Sequence, residues 1–64
     1  MDGFYYARMK FCGEDGFEQI QLSGGSAKVR QWLPDSPEVR KTLKEWDAQE
    51  VTPERLEELY QNGI

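Results

Sequence analysis

Near the N-terminus, side chains of two kinds alternate along the chain, and this pattern constrains the fold more than any other. The alternation runs from Phe4 to Cys12, and a period of two is typical of a β-strand with one buried face. A second run, from Phe17 to Leu22, follows after a short polar stretch. Between the runs lies Asp15-Gly16, a pair that favours a type I′ turn because both central residues of that turn need a positive φ. The sequence therefore predicts an antiparallel β-hairpin.

The register of this hairpin decides which side chains share a face. A turn at Asp15-Gly16 places Phe11 opposite Ile20 and Met9 opposite Leu22. A turn at Glu14-Asp15 slides the pairing by an even number of positions and keeps the same face. The apolar side chains on that face are Tyr5, Ala7, Met9, Phe11, Ile20 and Leu22. We expect the rest of the chain to cover them.

Two proline-marked starts predict helices in the C-terminal half. At Ser36-Pro37 and Thr52-Pro53, a hydroxyl that can cap a helix precedes a proline at the first helical position. Apolar residues then recur at helical spacing. They are Val39, Leu43 and Trp46 after the first start, and Leu56, Leu59 and Tyr60 after the second. We expect both tryptophans of the chain, Trp32 and Trp46, to lie in the core.

The segment 27–33 is open to two interpretations. Val29, Trp32 and Leu33 fall at i, i+3 and i+4, and Ser26 is a suitable cap, which favours a short helix. A third strand is the alternative, and Pro34 ends the element in either case. The predicted fold is one α+β domain over residues 1–64, with an N-terminal antiparallel β-hairpin followed by two or three short helices packed on one face.

The composition argues against catalysis. The chain of 64 residues has no histidine and one cysteine, Cys12, so neither a Ser-His nor a Cys-His nucleophile pair can form. An internal disulfide and a Cys/His zinc site are excluded in the same way. We predict no catalytic residue, no cofactor and no metal. A start at Met1 without a signal peptide predicts a complete short reading frame and a cytoplasmic protein.

Charge is distributed unevenly along the chain. The net charge is −4, yet residues 28–44 hold five bases and two acids, whereas residues 45–64 hold six acids and one base. Part of the acidic group lies on one face of the last predicted helix, where neighbouring side chains are about 5–6 Å apart. Such a face often serves only solubility. The functional alternative is a contact surface for a basic groove on a protein partner, formed by Glu45, Asp47, Glu50, Glu54, Glu57 and Glu58.

Two other binding modes compete with the acidic one. Phe4, Tyr6 and Phe17 alternate away from the predicted core face; if exposed, they would suit a regulatory or structural protein-interaction module. Phe4 and Tyr6 could also assist the acidic contact. A basic stripe of Lys28, Arg30, Arg40, Lys41 and Lys44 would suit direct nucleic-acid binding. The acidic last helix opposes that mode because phosphates would repel it.

In overall character, the chain resembles the small inhibitor proteins that phages and mobile elements use against host defences, anti-CRISPR proteins in particular. The features that carry the resemblance are a short acidic chain, capped helices and the absence of histidine; no motif takes part in it. If the protein is phage-encoded, it would act in the host cytoplasm, and we expect a monomer or small homo-oligomer. Such a protein would bind a nucleic-acid-binding subunit as a DNA mimic and sterically block the binding of target DNA to that subunit.

Overall fold

The computed structural model describes residues 3–63, which form a four-stranded sheet and two helices. Strands β1 (Gly3–Phe11), β2 (Glu14–Ser23) and β3 (Ser26–Pro34) are joined as consecutive antiparallel hairpins. Helix α1 (Pro37–Glu45), the short strand β4 (Gln49–Glu50) and helix α2 (Pro53–Asn62) follow. The strand order is β3-β2-β1-β4, and β4 runs parallel to β1. The predicted α+β class, with an N-terminal hairpin followed by helices, is confirmed.

The first turn lies at Cys12-Gly13 and not at Asp15-Gly16. Cys12 and Gly13 both have positive φ, 52° and 79°, as a type I′ turn requires. Phe11 therefore pairs with Glu14 instead of Ile20, a move of six positions. Because six is an even number, each side chain stays on its predicted face even though its partner changes. Cys12 is an exposed turn residue and not the last residue of a strand.

The segment 27–33 is a strand, so the preference for a short helix was wrong. Gly24 and Gly25 have positive φ and form the tight turn between β2 and β3. Pairing with β2 then runs from Ser26 to Pro34, with a bulge opposite Gln21/Leu22. The backbone hydrogen bonds of this ladder satisfy groups that a one- or two-turn helix would leave largely unpaired.

One face of the sheet carries the main core under α2. Side chains from β1 and β2 meet two leucines of α2 there, and Ala27 and Val51 pack at the margin. The buried members are Tyr5, Ala7, Ile20, Leu22, Leu56 and Leu59. We call this side of the sheet the α2 face. Full burial of a leucine or isoleucine stabilises by about 1.5–3 kcal/mol, so these few side chains hold the domain together.

The opposite side of the sheet, the α1 face, is covered by the other helix. Phe17 and Leu43 are buried there, and the Tyr6 ring meets the Phe17 ring edge-on at 5.5 Å between centroids. The expectation that all helices would pack on one face is therefore not met. The reason is the connection: β4 runs along the edge of β1, and the Val51 N–H donates to the Tyr6 carbonyl at 2.8 Å. The chain thus passes around the sheet edge between α1 and α2.

Both predicted helix starts are confirmed. The Ser36 hydroxyl accepts from the Val39 N–H at 3.2 Å, and the Thr52 hydroxyl accepts from the Arg55 N–H at 3.1 Å. Pro37 and Pro53 occupy the first turn in each helix. At the other end of α2, Gly63 has a φ of 70° and its N–H donates to the Leu59 carbonyl at 2.8 Å. Helix α2 is therefore fixed at both ends.

Candidate functional site

The six predicted acidic contact residues are all exposed. We call them the acidic surface: Glu45, Asp47, Glu50, Glu54, Glu57 and Glu58. They follow the chain from the end of α1, through β4, and along the outer side of α2. Helix α2 itself crosses the sheet, because it begins beside β1 and ends close to the turn between β2 and β3. The carboxylates therefore extend from one sheet edge towards the other.

The end of α1 holds the first part of this surface in a fixed geometry. The Asp47 N–H donates to the Lys44 carbonyl at 3.0 Å, and the Ala48 N–H donates to the Leu43 carbonyl at 2.9 Å. This pair of bonds is the Schellman motif, with Asp47 in the left-handed position at a φ of 55°. Aspartate is one of the few non-glycine residues that adopt this conformation readily.

Three members of the acidic surface are already paired with arginines. Glu50 accepts from Arg8 at 3.3 Å, Glu57 accepts from Arg30 at 3.2 Å, and Glu58 is bonded to Arg55. The side chains of these three glutamates remain about half exposed, at 48%, 51% and 58%. Exposed pairs contribute about 0–1 kcal/mol, so a basic partner could replace Arg8 or Arg55 at little cost.

The other three members have no ion pair within residues 3–63. They are Glu45, Asp47 and Glu54. Glu54 lies in the first turn of α2, where the helix dipole favours a negative charge. Glu45 is the last residue of α1, where the dipole opposes one. The uncompensated charge of the acidic surface is therefore concentrated between the end of α1 and the start of α2.

Arg30 ties α2 to β3 at the far end of the surface. Its guanidinium donates to Glu18 at 2.7 Å and to Glu57 at 3.2 Å, and it lies 4.5 Å above the centre of the Tyr60 ring. The hydrogen bond to Glu18 raises the pKa of Arg30 above its usual value, against the opposing effect of desolvation. Glu57 thus has a structural role as well as a surface charge.

The hairpin aromatics do not form a free apolar patch, because α1 and its C-cap cover them. Phe17 is only 2% exposed, and Tyr6 is half-buried against it. The Phe4 ring stacks on Trp46 with centroids 4.7 Å apart. Trp46, which the helical spacing assigned to the core, is 40% exposed. It lies between Glu45 and Asp47 in sequence and adds an aromatic ring to the acidic surface.

Helical spacing alone does not predict that Trp46 is exposed, because Trp46 continues the apolar series Val39, Leu43, Trp46. Its exposure could have been predicted from its position at the end of the helix. Trp46 is the C-cap of α1, and beyond the last helical residue the 3.6-residue period no longer predicts burial. Trp32, the other predicted core tryptophan, is half-buried beside Phe11, with centroids 5.7 Å apart.

The basic segment is partly neutralised by the protein's own acids. Arg40 holds Asp35 through two hydrogen bonds of 2.6 and 2.9 Å, and this contact lowers the pKa of Asp35. Arg30 is bound by Glu18 and Glu57. Lysines 28, 41 and 44 have no ion pair among the described residues; the first lies on β3 and the other two on α1. The five bases therefore do not line a single helix.

Within residues 3–63, no three cysteine, aspartate or glutamate side chains are arranged to hold a metal ion. In the same range, neither helix has the length and apolar composition of a membrane-spanning segment. The chain matches no family model, and searches of curated proteins and of solved structures found no significant match.

Proposed function

We propose that the protein acts by binding another protein, and that the acidic surface is the contact. The observation that carries this proposal is the position of Glu45, Asp47 and Glu54, which are exposed and have no ion pair among residues 3–63. Unpaired carboxylates steer and select a partner of opposite charge. Next to them, Trp46 supplies the kind of exposed aromatic side chain that dominates binding energy in protein interfaces.

A groove that normally holds nucleic acid is the partner surface of the right chemistry. Such grooves present lysines and arginines to phosphates, and the acidic surface offers them an alternative set of anions. We therefore propose a steric inhibitor of anti-CRISPR type, which mimics DNA and competes with it for a protein subunit of a host defence complex. Steric inhibition requires no catalytic residue, which is in keeping with a chain that has no histidine.

The test is a comparison of the protein with a neutralised variant carrying Glu45→Gln, Asp47→Asn and Glu54→Gln. None of these three side chains makes an ion pair in residues 3–63, and asparagine keeps the left-handed backbone at position 47. The fold should therefore survive, which circular dichroism checks. Both forms are immobilised and used to capture proteins from a phage-host lysate. We expect nucleic-acid-binding proteins to be retained by the original chain and lost by the variant.

A matched control separates the surface from bulk charge. Glu14→Gln, Asp15→Asn and Glu38→Gln remove three exposed acids outside the acidic surface, so both triple variants change the net charge from −4 to −1. The control should capture the same proteins as the original chain. Equal loss of captured proteins in both variants would show that only net charge matters. Equal capture by both variants would show that the acidic surface is not the contact.

The second candidate is an interaction module that uses aromatic side chains without nucleic-acid mimicry. The stacked pair of Phe4 and Trp46 favours it, because it leaves the larger ring exposed. Trp46→Ser distinguishes the two. If this change abolishes capture while the triple neutralisation leaves it intact, the aromatic module is the correct function. A retardation assay with non-specific duplex DNA tests direct nucleic-acid binding, for which we expect no shifted band at moderate salt.

A further inference from the structure

Strand β3 forms an open edge of the sheet. It is nine residues long and, within residues 3–63, pairs with β2 alone. An unpaired edge of this length exposes a row of backbone N–H and C=O groups that can pair with another strand. The opposite edge is different, because β4 has only two residues.

The turn geometry identifies which backbone groups point outward. Phe11 and Glu14 flank the two-residue turn and form the first hydrogen-bonded pair, and such pairs alternate along an antiparallel ladder. The even-numbered residues of β2 therefore bond to β1 and its odd-numbered residues to β3. Gln19 pairs with Gln31, so the backbone groups of Gln31 point inward. Those of its neighbours Arg30 and Trp32 point away from the sheet.

The usual protections of such an edge lie only at its two ends here. Natural edges are protected by charged side chains, by proline and by β-bulges. Pro34 ends the strand, and Lys28 lies at the bulge near its start. The charge in the middle belongs to Arg30, which is compensated by Glu18 and Glu57 on its own sheet and helix. The stretch from Val29 to Leu33 thus presents no unpaired charged side chain, and Val29 is 41% exposed.

The geometry points to a second copy of this chain as the occupant of the edge, paired antiparallel through β3 with Gln31 on the two-fold axis. In this register Arg30 of each copy lies opposite Trp32 of the other, so both outward-facing residues exchange backbone hydrogen bonds. Val29 lies opposite Leu33 of the second copy, which gives an apolar cross-strand pair. The edge is therefore complementary to itself.

The neighbouring registers are worse for identifiable reasons. A two-fold axis at Arg30 sets two arginines directly opposite each other, and like charges in that position destabilise a sheet. An axis at Trp32 sets Arg30 opposite Pro34, which has no N–H to donate. The register centred on Gln31 avoids the arginine pair and moves Pro34 to the end of the ladder, where it lies opposite Lys28. A two-fold interface of this kind closes at the dimer.

The dimer would also cover exposed aromatics on the α2 face. A two-fold axis normal to the sheet leaves both α2 helices on the same side. Tyr60, which is 38% exposed, lies on Arg30 of its own chain, and in the dimer that arginine is opposite Trp32 of the other copy. Phe11, which is 61% exposed, packs beside Trp32 in the same region. Oligomerisation is a common source of stability in so small a domain.

The test uses opposite charges at the two-fold axis. Gln31 is exposed, and its side chain faces its own copy across the axis. Gln31→Lys and Gln31→Glu each place like charges together, which should weaken the dimer by about twofold to fivefold. An equimolar mixture of the two variants should associate more tightly than either alone. Sedimentation velocity over a range of concentrations measures all three, and thermal unfolding at low concentration checks that each variant folds.

The matched control is Gln49, an exposed glutamine on the opposite sheet edge. Gln49→Lys and Gln49→Glu should leave association unchanged. The proposal is overturned if the original chain is monomeric at millimolar concentration or forms assemblies larger than a dimer. It is also overturned if the mixture of position-31 variants shows no gain. Should a variant fail to fold, hydrogen exchange in the original chain provides the test. Exchange of the Arg30 and Trp32 amide protons must slow as the protein concentration rises, and unchanged exchange would overturn the proposal.

Discussion

Gly16 offers a sharp test of the register, because it lies inside β2 and not in a turn. It is buried, and an added Cβ would lie 2.5 Å from the Leu33 carbonyl oxygen and still closer to the Trp32 ring. The carbonyl cannot retreat without disrupting the ladder between β2 and β3. Overpacking of this kind costs about 1–3 kcal/mol, and the backbone neighbour places Gly16→Ala in the upper half of that range.

The loss is large for this domain, whose core rarely supplies more than about 3–5 kcal/mol at this chain length. At about 4–8 °C per kcal/mol, the midpoint of thermal unfolding should fall by about 8–24 °C. Urea unfolding followed by circular dichroism gives the free energy, and tryptophan fluorescence reports the displacement of the Trp32 ring. Combining the change with Trp32→Leu should recover part of the loss, because only the carbonyl contact remains.

A change of less than about 0.5 kcal/mol, the ordinary range for a neutral surface substitution, would refute the reasoning for Gly16→Ala. Gly13 provides the comparison. Its φ of 79° belongs to the turn, so Gly13→Asn should be tolerated there. If Gly16→Asn were tolerated and Gly13→Asn were not, the turn would lie at Asp15-Gly16 after all.

Three further predictions concern single side chains. Gln19 is 1% exposed and its Nε2 has no hydrogen-bond partner among the described residues, so Gln19→Met should raise the free energy of unfolding by about 1 kcal/mol. Cys12 has a φ of 52°, and Cys12→Asn, which suits a type I′ turn, should stabilise by roughly 0.5–1 kcal/mol in the same urea assay. Arg40 lowers the pKa of Asp35, so the pair stabilises the fold at neutral pH and that contribution is lost as the pH falls below about 4. Arg40→Gln should raise the pKa of Asp35 in an NMR titration and remove this part of the pH dependence.

The features that sequence reasoning predicted correctly are local ones. The caps at Ser36 and Thr52 each bond to an N–H three residues away, so nothing distant decides them. The two faces of the hairpin were also predictable, because strand alternation survives any even shift of register. Only the partners across the hairpin changed.

The errors have a non-local cause. Cys12-Gly13 and Asp15-Gly16 are both acceptable as short turns, and the choice is made by pairing with β3 and by the ring of Trp32 over Gly16. Local spacing in 27–33 fits a helix, yet the ladder with β2 decides in favour of a strand. Tertiary contacts override propensity most easily in short segments of this kind.

The candidate site shows the same division. Exposure of Glu54, Glu57 and Glu58 followed from helical periodicity, whereas the ion pairs of the acidic surface did not. Glu50 and Arg8 are 42 positions apart, and Glu57 and Arg30 are 27 apart. No local sequence pattern predicts ion pairs between residues so far apart. Their effect is to shift the unpaired charge from the middle of α2, where composition placed it, to Glu45, Asp47 and Glu54.

Competition with DNA tests the central proposal most directly. A protein captured through the acidic surface is bound to a fluorescently labelled duplex, and the anisotropy of the duplex is followed as the original chain or the neutralised variant is added. We predict that the original chain releases the DNA at a stoichiometric ratio and that the variant does not. If the DNA stays bound while the original chain binds the same protein, the acidic surface does not occupy the site of the phosphates, and DNA mimicry is contradicted.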